Sequence, residues 1–154
     1  MIDLEPIGWV RGGRIDAVDD DWGAVEAVIG LDPVHFPPDA LRGLDQFSHV
    51  DVVYLFHLLD PAEIVVGARR PRGNPEWPEV GIFAQRGRVR PNRLGVTTAE
   101  IVAVDGLDLH VRGLDAVDGT PVLDIKPHMS GFAPRTPVRE PAWALEIMRD
   151  YWSR

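Results

Sequence analysis

Residues 81–127 read GIFAQRGRVRPNRLGVTTAEIVAVDGLDLHVRGLDAVDGTPVLDIKP. Val96–Val104 and Leu107–Leu114 are apolar runs that flank Asp105-Gly106, a dipeptide that favours a tight hairpin turn. Val122–Ile125 forms a further short strand, entered through Gly119-Thr120-Pro121. Two stretches around these strands, Arg86–Gly95 and Asp115–Pro127, concentrate Gly, Pro, Arg and Asp. Punctuation that dense between strands marks loops shaped around a ligand rather than plain solvent turns.

Working outward, Ile7–Val10 and Val25–Leu31 are short apolar runs bounded by Gly, Pro and Asp, and each reads as a strand. His49–Leu59 is the strongest element. Val50, Val52, Tyr54, Phe56 and Leu58 give it one unbroken apolar face, and Asp51, Val53, Leu55 and His57 alternate opposite them, as in a central strand. Pro61–Pro78 holds four prolines without periodicity and reads as a long functional loop. Pro38–Gly43 has room for one or two helical turns. Pro141–Trp152 is the better helix, with Pro at its first position and no breaker after it. Its stripe of Trp143, Ala144, Ile147, Met148, Tyr151 and Trp152 calls for docking on the parent domain or on a second subunit. The pattern predicts a mainly β fold: a small closed or nearly closed antiparallel β-barrel with a C-terminal helix, residues 1–154 forming one domain.

Composition narrows the function. The chain of 154 residues has no cysteine, which removes a thiol nucleophile, a disulfide framework and any Cys-ligated metal. It shows neither a long apolar run nor a basic-then-apolar leader, so a cytoplasmic protein without a membrane span is expected. The formal charge of −8 is unevenly spread. Between Arg69 and Arg93 stand seven arginines against Glu76 and Glu79, a local +5, which leaves −13 on the remainder. Such a segment is either a solvated loop paired with nearby carboxylates or a surface that faces an anion.

Nucleotide-loop and hydrolase signatures (GxGxxG after a strand, GxxxxGK[ST], GxSxG, HExxH) are absent. His35, His49, His57, His110 and His128 lack a metal-ligand spacing, and no metal is expected. His57 reads equally as a hydrogen-bonded core residue or as a pocket-lining one. Asp115, Asp118 and Asp124 are the carboxylates of the second loop region. Asp118-Gly119 suits an Asx-type turn. Asp124, between Leu123 and Ile125, needs a partner or a ligand. Lys126, the chain's only lysine, supplies the first option and leaves the second open.

One family shares these pieces. Ile7-Gly8, Leu41-Arg42-Gly43-Leu44, Phe47-Ser48-His49, Phe56-His57, Arg72-Gly73-Asn74-Pro75, Gly81-Ile82-Phe83-Ala84, Arg86, Arg90-Pro91-Asn92, Gly95 and Asp118 through Pro127 together resemble the TsaA-like, or TrmO, family of small β-barrel methyltransferases. The likeness covers roughly residues 5–128, and its last two motifs are highly specific. It implies S-adenosylmethionine (SAM) held beside the barrel, in a site completed across a homodimer interface. It also implies N6-methylation of threonylcarbamoyl-adenosine in tRNA. Carried over by motif, cofactor contacts fall on Phe56, His57, Leu58, Arg86, Val96, Val122, Leu123, Asp124 and Ile125, and less closely on Trp22, Gly23 and Ala24.

Substrate contacts fall to Arg88, Arg90, Asn92, Arg93 and Lys126, and His57 or Asp124 would take the acceptor's proton. The chain departs from the family in two ways. The family loop commonly runs Arg-Pro-Asn-Pro-Ile-Gly, whereas Arg93 and Leu94 stand here in place of Pro-Ile. The bacterial tRNA enzymes usually carry a further C-terminal domain, and in length this chain is similar to the single-domain archaeal forms. With SAM as cofactor, a small-molecule acceptor and a non-catalytic SAM-binding role are the alternatives.

Overall fold

Eight strands, one short α-helix and several 3-10 turns make up the computed structural model, which describes residues 1–153. Six strands close an antiparallel barrel: β1 (Gly8–Arg11), β2 (Glu26–Leu31), β3 (His49–Leu55), β6 (Leu94–Asp105), β7 (Asp108–Arg112) and β8 (Pro121–Pro127), in the order β1-β2-β7-β6-β3-β8. β4 (Ala68–Arg69) and β5 (Val80–Gly81) form a separate two-stranded ribbon. The helix α1 spans Ala142–Ile147.

The alternation of the sequence sets the barrel's two faces. Val10 opposite Ile29, Val50 opposite Ala99 and Val52 opposite Thr97 point inward, and with Leu109, Val111, Leu114 and Val122 they fill the core. Asp105 pairs with Asp108, so Gly106-Leu107 is the two-residue turn of the β6–β7 hairpin, with Gly106 at a φ of 59°. Closure depends on a narrow seam. β1 meets β8 at Gly8↔Val122 and Trp9↔Pro121, and a Cβ on Gly8 would lie 2.2 Å from the Gly30 carbonyl oxygen.

Three expectations need correction. β3 ends at Leu55, four residues before Leu59, because β6 begins at Leu94 and offers no ladder partner beyond it. The chain turns there through His57 N–H to the Leu55 carbonyl (2.8 Å), which leaves Leu58 exposed while Phe56 still packs against Tyr54 and the core. The stretch 61–78 is not structureless: it contains β4 and 3-10 turns at Pro61–Glu63 and Pro71–Gly73. Finally, the C-terminal helix stops at Ile147 rather than Trp152. The carbonyls of Asp150 and Tyr151 accept from Asp21 N–H (3.0 Å) and Trp22 N–H (2.8 Å), and this tertiary pairing displaces the last helical turns. Pro38–Gly43 forms turns only.

Gly95, opposite Tyr54, lets the barrel close over that ring: a Cβ there would sit 2.6 Å from two ring carbons. Gly95→Ala is expected to lower stability by about 1–3 kcal/mol in urea unfolding. Gly81→Ala, with nothing within 4 Å of its Cβ, should change it by no more than about 0.5 kcal/mol.

Candidate functional site

β3 leaves the barrel at the end where β6 and β8 enter, so three loops meet there: Phe56–Asp60, Gln85–Arg93 and Leu114–Thr120. The ribbon β4–β5 and the C-terminal segment flank them around an open cavity of 1770 Å³. That exceeds the roughly 300–1,000 Å³ of a pocket for one small ligand.

One wall is basic. Arg69, Arg70, Arg72, Arg86, Arg88 and Arg90 all line the cavity. Among the described residues only Arg72 of these six meets a carboxylate, Asp20 at 3.0 Å with Asp19 at 3.9 Å. Arg69, Arg70, Arg86 and Arg90 are held by backbone carbonyls, and among the described residues Arg88 makes neither an ion pair nor a side-chain hydrogen bond. Arg70 donates to Pro75 (3.1 Å) and Trp77 (2.6 Å), Arg86 to Val96 (2.7 Å) and Arg90 to Gln85 (2.6 Å). Gln85 is itself buried and donates to Arg69 and Val80 carbonyls at 3.0 Å, which ties the arginine loop to the ribbon. A carbonyl orients a guanidinium without cancelling its charge, so the wall stays cationic. The bland alternative of a loop neutralised by neighbouring carboxylates therefore describes Arg72 alone.

Apolar surface lies beside the cations. Leu58, Phe83 and Val96 line the cavity at 62, 75 and 48 % exposure. Exposed apolar side chains in a concave site are the surface a bound ligand covers. The Arg90 guanidinium sits 6.0 Å from the Phe83 ring centre.

Of the residues singled out from sequence, Trp22, Phe56, His57, Leu58, Arg86 and Val96 share this cavity with Arg88, Arg90 and Asn92. His57 approaches the Gly119 turn, where a Cβ would lie 3.8 Å from Nε2. Trp22 is 2 % exposed, packed under the Arg14 guanidinium at 4.7 Å, with its indole N–H on the Val18 carbonyl. Gly23 and Ala24 lie off the cavity lining; Gly23 abuts the C-terminal segment, where a Cβ would lie 2.0 Å from the Trp152 carbonyl oxygen. Arg93 also lies off the lining. At a φ of 53°, beside Asn92 at 64°, it donates to the Leu59 carbonyl (3.1 Å) while its own carbonyl accepts from Phe56 N–H (2.8 Å). It therefore couples the first two loops.

The β8 residues lie elsewhere. Val122 is wholly buried in the core and Ile125 packs against it. Leu123 is a β-bulge: Val53 pairs with Asp124 and Tyr54 with Val122. Asp124 thereby shares the outer face with Val53 and, one strand further, Val96, about 10 Å away at two inter-strand spacings. Lys126 is on the same face and forms an ion pair with Asp124 at 2.7 Å. That hydrogen bond and the Asp124 charge raise the pKa of Lys126.

Sequence reasoning missed the polar centre of the mouth. Asp115 accepts from Tyr54 (3.0 Å) and Thr97 (2.5 Å) on one carboxylate oxygen and from Tyr151 on the other. Burial, reinforced by the Asp115 charge, pushes both phenols well above the ordinary tyrosine range, so they act as donors. Tyr54 and Tyr151 are the chain's only tyrosines, the one local signal that could have pointed to this cluster.

Because the folded phenols hold their protons above the ordinary value of 10.0, their contribution to stability is complete below pH 10 and falls as pH rises beyond it. Tyrosinate absorbance of the native protein should stay flat through about pH 10. Urea stability should decline above that pH, less steeply in Tyr151→Phe; a native titration at the free-tyrosine pKa would contradict the buried geometry.

Comparison with known proteins gives a consistent result. Residues 21–134 match the family described as tRNA-methyltransferase O N-terminal domain. A tRNA (adenine(37)-N6)-methyltransferase of Homo sapiens is 37 % identical over 105 residues, covering 68 % of this chain and 23 % of that protein. A probable S-adenosyl-L-methionine-binding protein of Methanothermobacter thermautotrophicus is 40 % identical over 131 residues, covering 82 % and 90 %. The crystal structure of TrmO from Pseudomonas aeruginosa superposes with a TM-score of 0.72 at 28 % identity, over 90 % of this chain and 61 % of that one. The chain thus spans less than a quarter of the human relative and about three fifths of the Pseudomonas aeruginosa protein.

Proposed function

The chain belongs to the tRNA-methyltransferase O N-terminal domain family, and on that premise we propose that it is a SAM-dependent methyltransferase acting on the N6 nitrogen of a tRNA adenosine. The acceptor we infer is threonylcarbamoyl-adenosine, and residues 1–154 act as one catalytic domain. The observation that carries this reading is the row of carbonyl-fixed, unneutralised guanidiniums along a cavity that also exposes Leu58, Phe83 and Val96. Cations for phosphate beside apolar and aromatic surface for bases are what a nucleic-acid substrate requires.

The residues present suit SAM. Arg86, oriented by the Val96 carbonyl, is available to a carboxylate, and Leu58 and Val96 provide apolar walls for an adenine. When bound, SAM supplies an electrophilic methyl group on a sulfonium, whose transfer needs in-line positioning above all. The protein's part is then to orient the acceptor on Arg88, Arg90 and Asn92, to exclude water with Phe56 and Phe83, and to receive the acceptor proton at the His57 imidazole. Leu123, Asp124 and Lys126 act from a second protomer in this reading, whereas Val122 and Ile125, turned to the core, only hold the strand in place. The continuous outer face that carries Val96, Val53 and Asp124 is where a cytoplasmic homodimer would meet. Among the described residues no helix is long and apolar enough to cross a membrane.

A small-molecule acceptor is the second reading, favoured by the net charge of −8. Labelled SAM and bulk tRNA lacking the modification separate the two: incorporation into tRNA is expected, and none would remove tRNA as substrate. Arg86→Ala should weaken SAM binding about tenfold, the loss of one charge-assisted hydrogen bond. Arg88→Ala should weaken tRNA binding across sequences and reduce its salt slope by about one. Tight binding indifferent to salt would contradict a phosphate-facing wall.

A further inference from the structure

A further part of the cavity lining is built by the C-terminal segment, and little of its placement comes from core packing. α1 has six residues, none buried and no side-chain N-cap, too short to hold itself in water. Yet Trp143, Ile147, Met148 and Tyr151 of this segment line the cavity. What fixes them is polar and specific. Tyr151 donates to Asp115, the backbone of Asp21 and Trp22 donates to Asp150 and Tyr151, and the Trp77 indole donates to Glu146 at 2.8 Å. Gly23 has no Cβ to hold the segment away.

Asp115 ties two strands of the barrel to this wall through side chains. Three of about four acceptor positions on its carboxylate are taken, by Tyr54 of β3, Thr97 of β6 and Tyr151 of the segment. Resting on the methyl-transfer reading above, we propose that Asp115 is a positioning residue of the acceptor pocket. By holding Tyr151 at the barrel mouth it sets the Trp143–Tyr151 wall at a fixed distance from the arginine loop, and so defines the slot that receives the acceptor base. A slot lined by aromatic and thioether surface together with guanidiniums suits a planar, phosphate-linked base.

The test uses the full chain as wild type, Asp115→Asn and Tyr151→Phe, with three readouts. These are amide hydrogen exchange of residues 142–153, affinity for SAM, and the separate kcat and KM for unmodified tRNA. Loss of the pin should speed exchange of 142–153 about tenfold and raise the tRNA KM about tenfold. SAM affinity and kcat should stay within about twofold, since a purely structural defect lowers all of them together. Unchanged exchange in both variants overturns the pin, and faster exchange with an unchanged KM overturns its role in the pocket. Tyr151→Phe removes one oxygen and leaves the Tyr54–Asp115–Thr97 contacts, so the test stands even if Asp115→Asn does not fold. If wild type transfers no methyl to tRNA, the tRNA reading fails and with it the KM arm. The exchange arm still decides whether Asp115 holds the wall.

Discussion

The barrel closes along its thinnest seam, where β1 meets β8 through Gly8↔Val122 and Trp9↔Pro121, and everything at the mouth depends on that closure. The seam is extended by Gly119 N–H to the Val10 carbonyl (2.7 Å) and Val10 N–H to the Thr120 carbonyl (2.9 Å). These bonds carry the Leu114–Thr120 loop over the end of the barrel, where Asp115 reaches Tyr54 and Thr97. An open sheet would leave that loop beside a free edge instead of above a ring of strand ends. The absence of a side chain at Gly8 is what allows β1 and β2 to lie close enough for the ring to complete.

Closure also concentrates charge. The arginine loop, the ribbon and the C-terminal segment all belong to the same end, so six of the sixteen Lys and Arg of an acidic chain gather around one cavity. Their fixation by carbonyls has an energetic logic. Holding a guanidinium in place costs side-chain entropy, and a carbonyl offsets part of it without lowering the local potential. Ion pairing would have oriented the same groups and cancelled their attraction for an anion. Arg112, off the cavity lining, shows that contrast: it bonds Glu26 (2.6 Å) and Glu100 (3.2 Å) and staples three strands.

Much of the fold was legible because strand alternation and turn dipeptides are local signals. β2, β6, β7 and the Asp105-Gly106 hairpin follow directly from them. The arginine loop was legible as a shaped segment for the same reason, since Gly, Pro and Arg spacing is visible in the chain, and it does line the cavity. What escaped was nonlocal. No sequence interval links residues 54, 97, 115 and 151, so their meeting is a product of topology alone. The end of α1 is set by backbone donors some 130 residues earlier, at Asp21 and Trp22. Strict alternation from the inward Val122 would turn Asp124 into the core. The bulge at Leu123 turns it out, and bulges leave no reliable mark in a sequence.

Arg93 carries a consequence for descent within the family. Its φ of 53° lies outside the range a pyrrolidine ring allows, which is held near about −65°. A lineage moving between Arg and Pro at this position cannot do so by exchanging one side chain on a common backbone. The loop path, the Leu59 contact that Arg93 makes and the Phe56 N–H that its carbonyl accepts have to change with it. Because both contacts are to backbone atoms, what is linked is the path of the two loops, 56–59 and 90–93, rather than the side chains at 56 and 59.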